Sequence, residues 1–386
     1  MDMTSGRRLS AAARSAAHRY IQHSLRLLTV TSRVKFVKQT RCCRRRLAQF
    51  GARLGFPVTL STRREFAFWM KSALFAIIGL SAQAFASGLN SCADLVVRDV
   101  SSTPPRELRV TYLGTNGYQF ECNGRALLVD PYFSRVDLLS VALGLRLQPD
   151  ATRIEEGLKH LAPRADAILV THGHFDHLLD VPVVMAKTEA RLIASPTGIR
   201  LVGQTAGAGG SPSRRSGEQR QKVFDAVTAG DSRRIGPWKI RVLPAAHDRL
   251  FGSIPFDGQV ASHPPRRAAD WVCGEPLAFL IEACGRRIYI DSGGTSAQLP
   301  PAERVDLAIL GVALPDSRAR MGSALGRLQP RYVLPSHQDN FFLPLSRGFQ
   351  FGPLTDFARV RQECLRAGCG RLIVLDYFSP WTLPRE

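Results

Sequence analysis

The sequence predicts an α/β fold of two packed sheets with helices outside. Three observations point there. The chain has 386 residues, 45% of them hydrophobic and 22% charged, which is ample apolar material for a sizeable core. Its first apolar runs are short and joined by tight turns, as in hairpins. Its later runs alternate with stretches of helical period.

Taken in order, 108–112 and 118–122 read as strands joined by Gly114-Thr115-Asn116-Gly117, and 125–129 follows the turn Asn123-Gly124. Segments 136–147 and 153–161 read as helices, and 167–170 as a buried strand ending in Thr171. Further strands are expected at 192–194, 239–243, 277–283, 286–290, 307–310, 332–334 and 372–375, with a helix of period 3.6 at 354–366. Thr103-Pro104-Pro105 reads as a linker, so the globular domain is expected over 106–380. The stretch 203–222, rich in Gly, Ser, Arg and Gln, reads as a surface loop. The connection 248–276 carries Phe251, Ile254, Pro255, Phe256 and Trp271. It is either a lid or binding loop, or a loop packed by its own aromatics.

The net charge of +20 invites a nucleic-acid partner, but its distribution argues against one. Residues 1–71 hold 16 of the 52 basic residues and 2 of the 32 acidic ones, a surplus of +14, which leaves +6 for the remainder. Residues 1–57 read as a disordered basic leader or as sequence upstream of the true start; a basic arm is the alternative. Residues 58–91 read as an export signal of the twin-arginine type: Arg63-Arg64 before Phe66, the apolar run 73–80, and Ala84-Phe85-Ala86 before Ser87. The run is too short to span a bilayer comfortably. The expected location is the periplasm, or a membrane anchor facing it, with the cytoplasm as the alternative. Leu89-Asn90-Ser91-Cys92 loosely matches a lipidation site, so membrane association is expected through the signal segment or a lipidated Cys92. Cys364 and Cys369 are close enough to pair in an oxidising compartment, whereas Cys122 and Cys284 read as ordinary buried strand residues.

The informative segment is Thr171-His172-Gly173-His174-Phe175-Asp176-His177. Three histidines and one aspartate occupy six positions directly after a buried strand. Imidazole and carboxylate are the ligand types for zinc and similar divalent ions. The spacing puts His172 and His174 on one side of a tight turn, and Asp176 and His177 on the next turn at a helix start. His247, Asp291 and His337 each lie at the C-terminal end of an apolar strand, where sheet proteins display functional loops. His160 and His263 lie outside this pattern and read as ordinary.

This order of residues resembles the metallo-β-lactamase superfamily, as do Leu113-Gly114-Thr115-Asn116-Gly117 and Leu128-Val129-Asp130-Pro131. The resemblance covers about residues 106–380. It implies a four-layer αββα sandwich with two metal ions at one edge. Carried over, His172, His174 and His247 would bind one ion, Asp176, His177 and His337 the other, and Asp291 would bridge them. Asp130 would hold a ligand or loop in place behind them. Ile290 departs from the glycine that many members carry before the bridging aspartate. Within the superfamily, Leu334-Pro335-Ser336-His337 looks closest to the ascorbate-phosphate lactonase-like hydrolases and to the N-acyl-phosphatidylethanolamine-hydrolysing phospholipase D.

The resemblance implies a hydrolase that directs a metal-bound hydroxide at a phosphodiester, of a lipid among others, or at a lactone or ester. Two dications ~3.5–4 Å apart can share one water and lower its pKa from 15.7 toward ~7. Zinc is expected on ligand type, with Mn2+ or Fe2+ as alternatives. Asp176 and Asp291 then serve catalysis as ligands and not as free bases. A β-lactamase-type amide hydrolase and a non-hydrolytic metal-binding member of the fold are the competing readings. Asn340-Phe341-Phe342-Leu343-Pro344-Leu345 reads either as core or as an apolar wall for a lipid or acyl group, and 136–147 either as a packed helix or as a second wall.

Overall fold

The computed structural model describes residues 88–99, 107–209, 223–250, 252–294, 299, 304–368 and 370–385, all within the unit Leu60–Glu386. The leader 1–57, the signal segment up to Ser87, the Thr103-Pro104-Pro105 linker, Phe251 and Cys369 lie outside the described residues.

The first sheet contains β1 (Arg109–Gly114), β2 (Gly117–Cys122), β3 (Arg125–Val129), β4 (Ala167–Leu169), β5 (Arg191–Ala194), β6 (Phe224–Ala226) and β14 (Pro380–Thr382), in the order β14-β1-β2-β3-β4-β5-β6. The second contains β7 (Ser232–Ile235), β8 (Trp238–Pro244), β9 (Leu277–Ala283), β10 (Arg286–Ile290), β11 (Leu307–Gly311), β12 (Tyr332–Ser336) and β13 (Arg371–Leu372), in the order β13-β12-β11-β10-β9-β8-β7. Each sheet is antiparallel in one half and parallel in the other: β3 to β6 and β10 to β13 are the parallel halves. Among the described residues, the helices along the first sheet are α1 (Leu138–Ala142), α2 (Ala151–Leu158), α3 (Phe175–Leu178), α4 (Val181–Thr188) and α5 (Pro196–Gly209). α6 (Pro315–Leu328) and α7 (Phe357–Ala367) lie along the second.

Strand alternation divides the apolar residues into three layers. Leu127, Val129 and Leu169 meet Ile240, Phe279, Ile288 and Ile309 between the sheets. Leu128, Ile168 and Leu192 face Ile154, Val184 and Leu201 of the helices over the first sheet. Tyr289, Ala308 and Leu310 face Met321, Leu325 and Val360 over the second. Three apolar interfaces between four layers make the αββα sandwich that the sequence predicts. Each sheet is buried on both faces, so its parallel strands read as continuous apolar runs.

Several elements differ from the expectations. The helix expected over 136–147 stops at Ala142. Gly144 takes φ +63°, and the chain then runs non-helically to Leu147. The low-complexity stretch begins inside α5, which continues to Gly209. The folded unit also starts before 106. Val97 donates its amide to Val374 O, and Asp99 accepts from the Thr382 amide, which holds 88–99 against the domain. Cys92 is buried there.

The cysteine reading also needs correction. Cys122 and Cys284, which read as ordinary strand residues, form a disulfide. Cys122 closes β2 in the first sheet, and Cys284 sits at φ +50° in the β9–β10 turn of the second. The bond staples the sheets together just before β3 and β10 begin. The loop it closes is 162 residues long, for which chain-entropy reasoning gives about 4–5 kcal/mol of stabilisation. Reductant, or Cys122→Ser, is therefore expected to lower the denaturant midpoint markedly. An unchanged midpoint would count against the staple.

Candidate metal centre

Every candidate ligand follows the C-terminal end of a strand, and the topology brings these ends to one edge. His172 follows β4, His247 follows β8, Asp291 follows β10, and His337 follows β12. The two sheets are joined at this edge by main-chain hydrogen bonds. Leu277 N donates to Thr171 O at 2.7 Å, Gly173 N to Cys273 O at 2.8 Å, and His337 N to Thr115 O at 2.7 Å. Gly173 must be glycine, because a β-carbon there would fall 2.1 Å from Val272 O.

The Asp130 carboxylate, at the end of β3, organises the loop. It accepts from Thr171 N (2.8 Å), Thr171 Oγ1, Asn116 Nδ2 (2.8 Å) and His177 Nδ1 (2.9 Å). With Nδ1–H donated to Asp130, His177 presents its Nε2 lone pair, which is buried and makes no hydrogen bond among the described residues. That nitrogen lies 3.5 Å from Asp176 Oδ2.

The donors fall into two sets, each with its atoms within 4.8 Å of one another: His172, His174 and His247; and Asp176, His177 and His337. In the first, His172 Nε2 lies 3.0 Å from His174 Nδ1. His174 Nε2–H donates to Pro255 O at 2.8 Å, and His247 Nδ1–H to Asp248 O at 2.7 Å, so each ring is left with one lone pair for the shared centre. In the second, His337 Nε2 lies 3.1 Å from Asp176 Oδ2. The sets share a wall, with the rings of His172 and His177 4.0 Å apart.

The electrostatics of the first donor set match ligand duty. Burial first, then the neighbouring imidazoles, hold His172 and His174 well below the usual histidine range; burial and His177 bring His247 down to about 3. These rings are neutral at neutral pH, the form that binds metal. Burial pushes the Asp176 carboxyl up, but His177 and His337 outweigh it and hold it below the ordinary carboxylate range. At His177 in the second set, burial pulls the ring down, but Asp176 and Asp130 outweigh that and hold it above the usual histidine range.

Asp291 is fully buried and stands outside both sets, its Oδ1 accepting from Gly311 N at 3.0 Å. The loop after it is drawn to His247 by the Asp248 N to Gly293 O hydrogen bond. Five imidazoles and a carboxylate with convergent lone pairs, one of them a buried orphan nitrogen, fit divalent metal ions of the zinc type.

Residues 109–337 match the profile of the beta-lactamase superfamily domain. The chain belongs to the metallo-β-lactamase superfamily. A UPF0173 metal-dependent hydrolase of Anaeromyxobacter sp. (strain K) is 29% identical over 228 residues, 56% of this chain and 69% of the relative. Another, of Carboxydothermus hydrogenoformans, is 23% identical over 243 residues, 61% and 86% of the two chains. Igni18, a metallo hydrolase of Ignicoccus hospitalis, superposes with a TM-score of 0.46 at 17% identity over 72% of this chain and 99% of that one. This member of the superfamily is a metal-dependent hydrolase.

A cavity of about 160 Å³ opens onto both donor sets. Phe341 and Phe342 line it, as do Leu138, Val141 and Ala142 of α1 and Leu250, Pro255 and Phe256 of the 248–276 connection. Trp271 from the same connection is buried in the outer core instead. His160 stacks on Phe378 away from the donors, and His263 is exposed. Ile290, the departure beside Asp291, packs between the sheets.

Sequence reasoning missed Asp339. Its Oδ1 accepts from Tyr112 Oη and Thr115 N, both at 2.9 Å, and its Oδ2 from Arg135 Nη1 (2.8 Å) and Tyr377 Oη (2.6 Å). An acid two residues past His337, just before the apolar run that starts at Phe341, was the available signal. It missed Ser292 too, a residue of the cavity wall whose buried hydroxyl makes no hydrogen bond among the described residues.

His247→Ala and Asp291→Ala are each expected to lower kcat by several orders of magnitude in a folded chain. Asp130→Asn is expected to weaken metal binding about 10–100-fold, because it unseats His177. Elemental analysis and competition with a chelating dye measure the latter; parent-like affinity would show that Asp130 does not orient the ligand.

Proposed function

We propose that the chain is a binuclear hydrolase of an ester, lactone or phosphodiester that carries an apolar group. One observation carries the reading: two donor sets that share a wall form the floor of an apolar cavity. When bound, a pair of divalent ions supplies Lewis acidity and an activated water near neutral pH.

The chain's own residues do the rest. Asp130, Pro255 O and Asp248 O lock the orientations of His177, His174 and His247, so no ring must turn during turnover. Leu138, Val141, Phe256, Phe341 and Phe342 exclude water and favour an aliphatic or aromatic group beside the reacting bond. The apolar lining supports a substrate with an apolar group over the anionic substrate of the amide-hydrolase reading.

The metal-loaded chain is to be assayed in parallel on bis-nitrophenyl phosphate, nitrophenyl acetate and octanoate, a lactone and a β-lactam. The expected result is about two metal equivalents per chain, hydrolysis lost to chelator and restored by zinc, and kcat/KM rising with acyl length. Phe342→Ala should lower the octanoate value at least tenfold and spare acetate. One metal with full activity, or fastest turnover of the β-lactam, would defeat the proposal.

We further propose that the chain is exported and processed near Ser87. The signal-like segment 58–91 is joined by two supports: a disulfide, which persists in oxidising compartments, and the packing of 88–99 on the domain. The burial of Cys92 favours cleavage over lipid attachment. N-terminal sequencing of periplasmic protein should begin near Ser87. An intact cytoplasmic chain, indifferent to Arg63→Lys, Arg64→Lys, would sink the export reading.

A further inference from the structure

The wall helix α1 has two faces. Leu138, Val141 and Ala142 line the cavity. On the other side, Leu139 and Leu143, four residues apart, are 59% and 63% exposed, and Leu145 just beyond Gly144 is 49% exposed. A single exposed leucine needs no explanation, but three on one short turn at the mouth of an apolar cavity form a patch. Cationic side chains stand beside it. Arg146 is exposed, and Leu147 N donates to Arg266 O at 2.7 Å, which sets exposed Arg266 and Arg267 alongside. The nearby acids are engaged locally: Asp137 caps α1 through Ser140 N, and Asp270 accepts from the amides of Arg266 and Arg267.

We infer that this face docks on the surface of an anionic lipid bilayer. The leucines would enter the boundary between headgroups and acyl chains, and the arginines would lie against the phosphates. The occupant is a bilayer because an apolar patch bordered by cations matches acyl chains beneath anionic headgroups. The same short helix then forms both the membrane-facing surface and the cavity wall, so an amphiphile leaving the bilayer passes from one side of α1 to the other. This step rests on the reading of an apolar substrate and names its source; the docking itself is measured without turnover.

The full zinc-loaded chain is to be sedimented with vesicles of phosphatidylcholine alone and of phosphatidylcholine with phosphatidylglycerol. Binding is expected to the anionic vesicles. The Leu139→Glu, Leu143→Glu double variant should weaken it at least tenfold. The milder Leu139→Ser, Leu143→Ser pair should weaken it several-fold, should the glutamates disturb the fold. The Arg146→Ala, Arg266→Ala, Arg267→Ala variant should bind more weakly and less steeply with salt. Anionic-vesicle binding that survives in the folded leucine variants would overturn the inference and assign binding to the basic residues of 1–71. So would a dimer that the leucine changes dissociate without affecting vesicle binding, since the patch would then join two copies. Because no arm reads hydrolysis, a chain that binds vesicles but hydrolyses no ester, lactone or phosphodiester counts against the proposed function and leaves the docking in place.

Discussion

The edge that gathers the candidate ligands depends on one buried carboxylate. Asp130 accepts four hydrogen bonds from three separate segments: the β1–β2 turn, the start of the histidine loop, and the first turn of α3. An unpartnered carboxylate there would carry a heavy desolvation cost, and four donors offset it. The residue adopts φ +40°, an uncommon conformation for a side chain with a β-carbon, and the surrounding hydrogen bonds hold it there. Because His177 gives Nδ1–H to this carboxylate, the orientation of a ligand is linked directly to the position of the first hairpin.

A second buried charge makes the corresponding tie on the other side. Arg135 and Asp339 form a fully buried ion pair, completed by Tyr112, Tyr377 and the Thr115 amide. Burial pushes the Asp339 carboxyl up, but Arg135 and the Tyr377 hydroxyl outweigh it and keep it below the usual carboxylate range. A buried pair of this kind is weak evidence of net stability, yet removing one partner strands the other. Its geometric effect is plain. The loop carrying His337 is joined to the β1–β2 turn twice, through Asp339 and through His337 N to Thr115 O. Gly114 leaves the room that this demands, since a β-carbon there would overlap the Arg135 guanidinium.

The two ends of the sandwich are secured differently. At the metal edge the joints are hydrogen bonds and ligands, which allow loops to project and form a cavity. At the other end, Cys122 and Cys284 close the sheets covalently. Rigid sheets between these ends let functional side chains sit on loops without loss of position.

Ligand chemistry was legible in the chain because it is local. His172, His174, Asp176 and His177 fall within six positions, and no packing argument accounts for that spacing of those residue types. The ends of β8, β10 and β12 were legible for a similar reason: an apolar run followed by a lone histidine or aspartate marks a strand that delivers one side chain. α6 escaped notice although Met321, Ala324, Leu325 and Leu328 keep a helical stripe, because Arg, Ser and Gly fill the positions between them. Tertiary structure alone decided which cysteines pair, since Cys122 and Cys284 meet only when two different sheets stack, 162 residues apart in sequence. It alone decided that Arg135 and Asp339 are partners, and that α1, the 341–342 pair and the 248–276 connection enclose one cavity. The sequence by itself determined which atoms can hold a metal, because ligand identity belongs to residue type and short spacing. Only the folded chain decided what surrounds them, because burial and contact across distant segments are properties of packing.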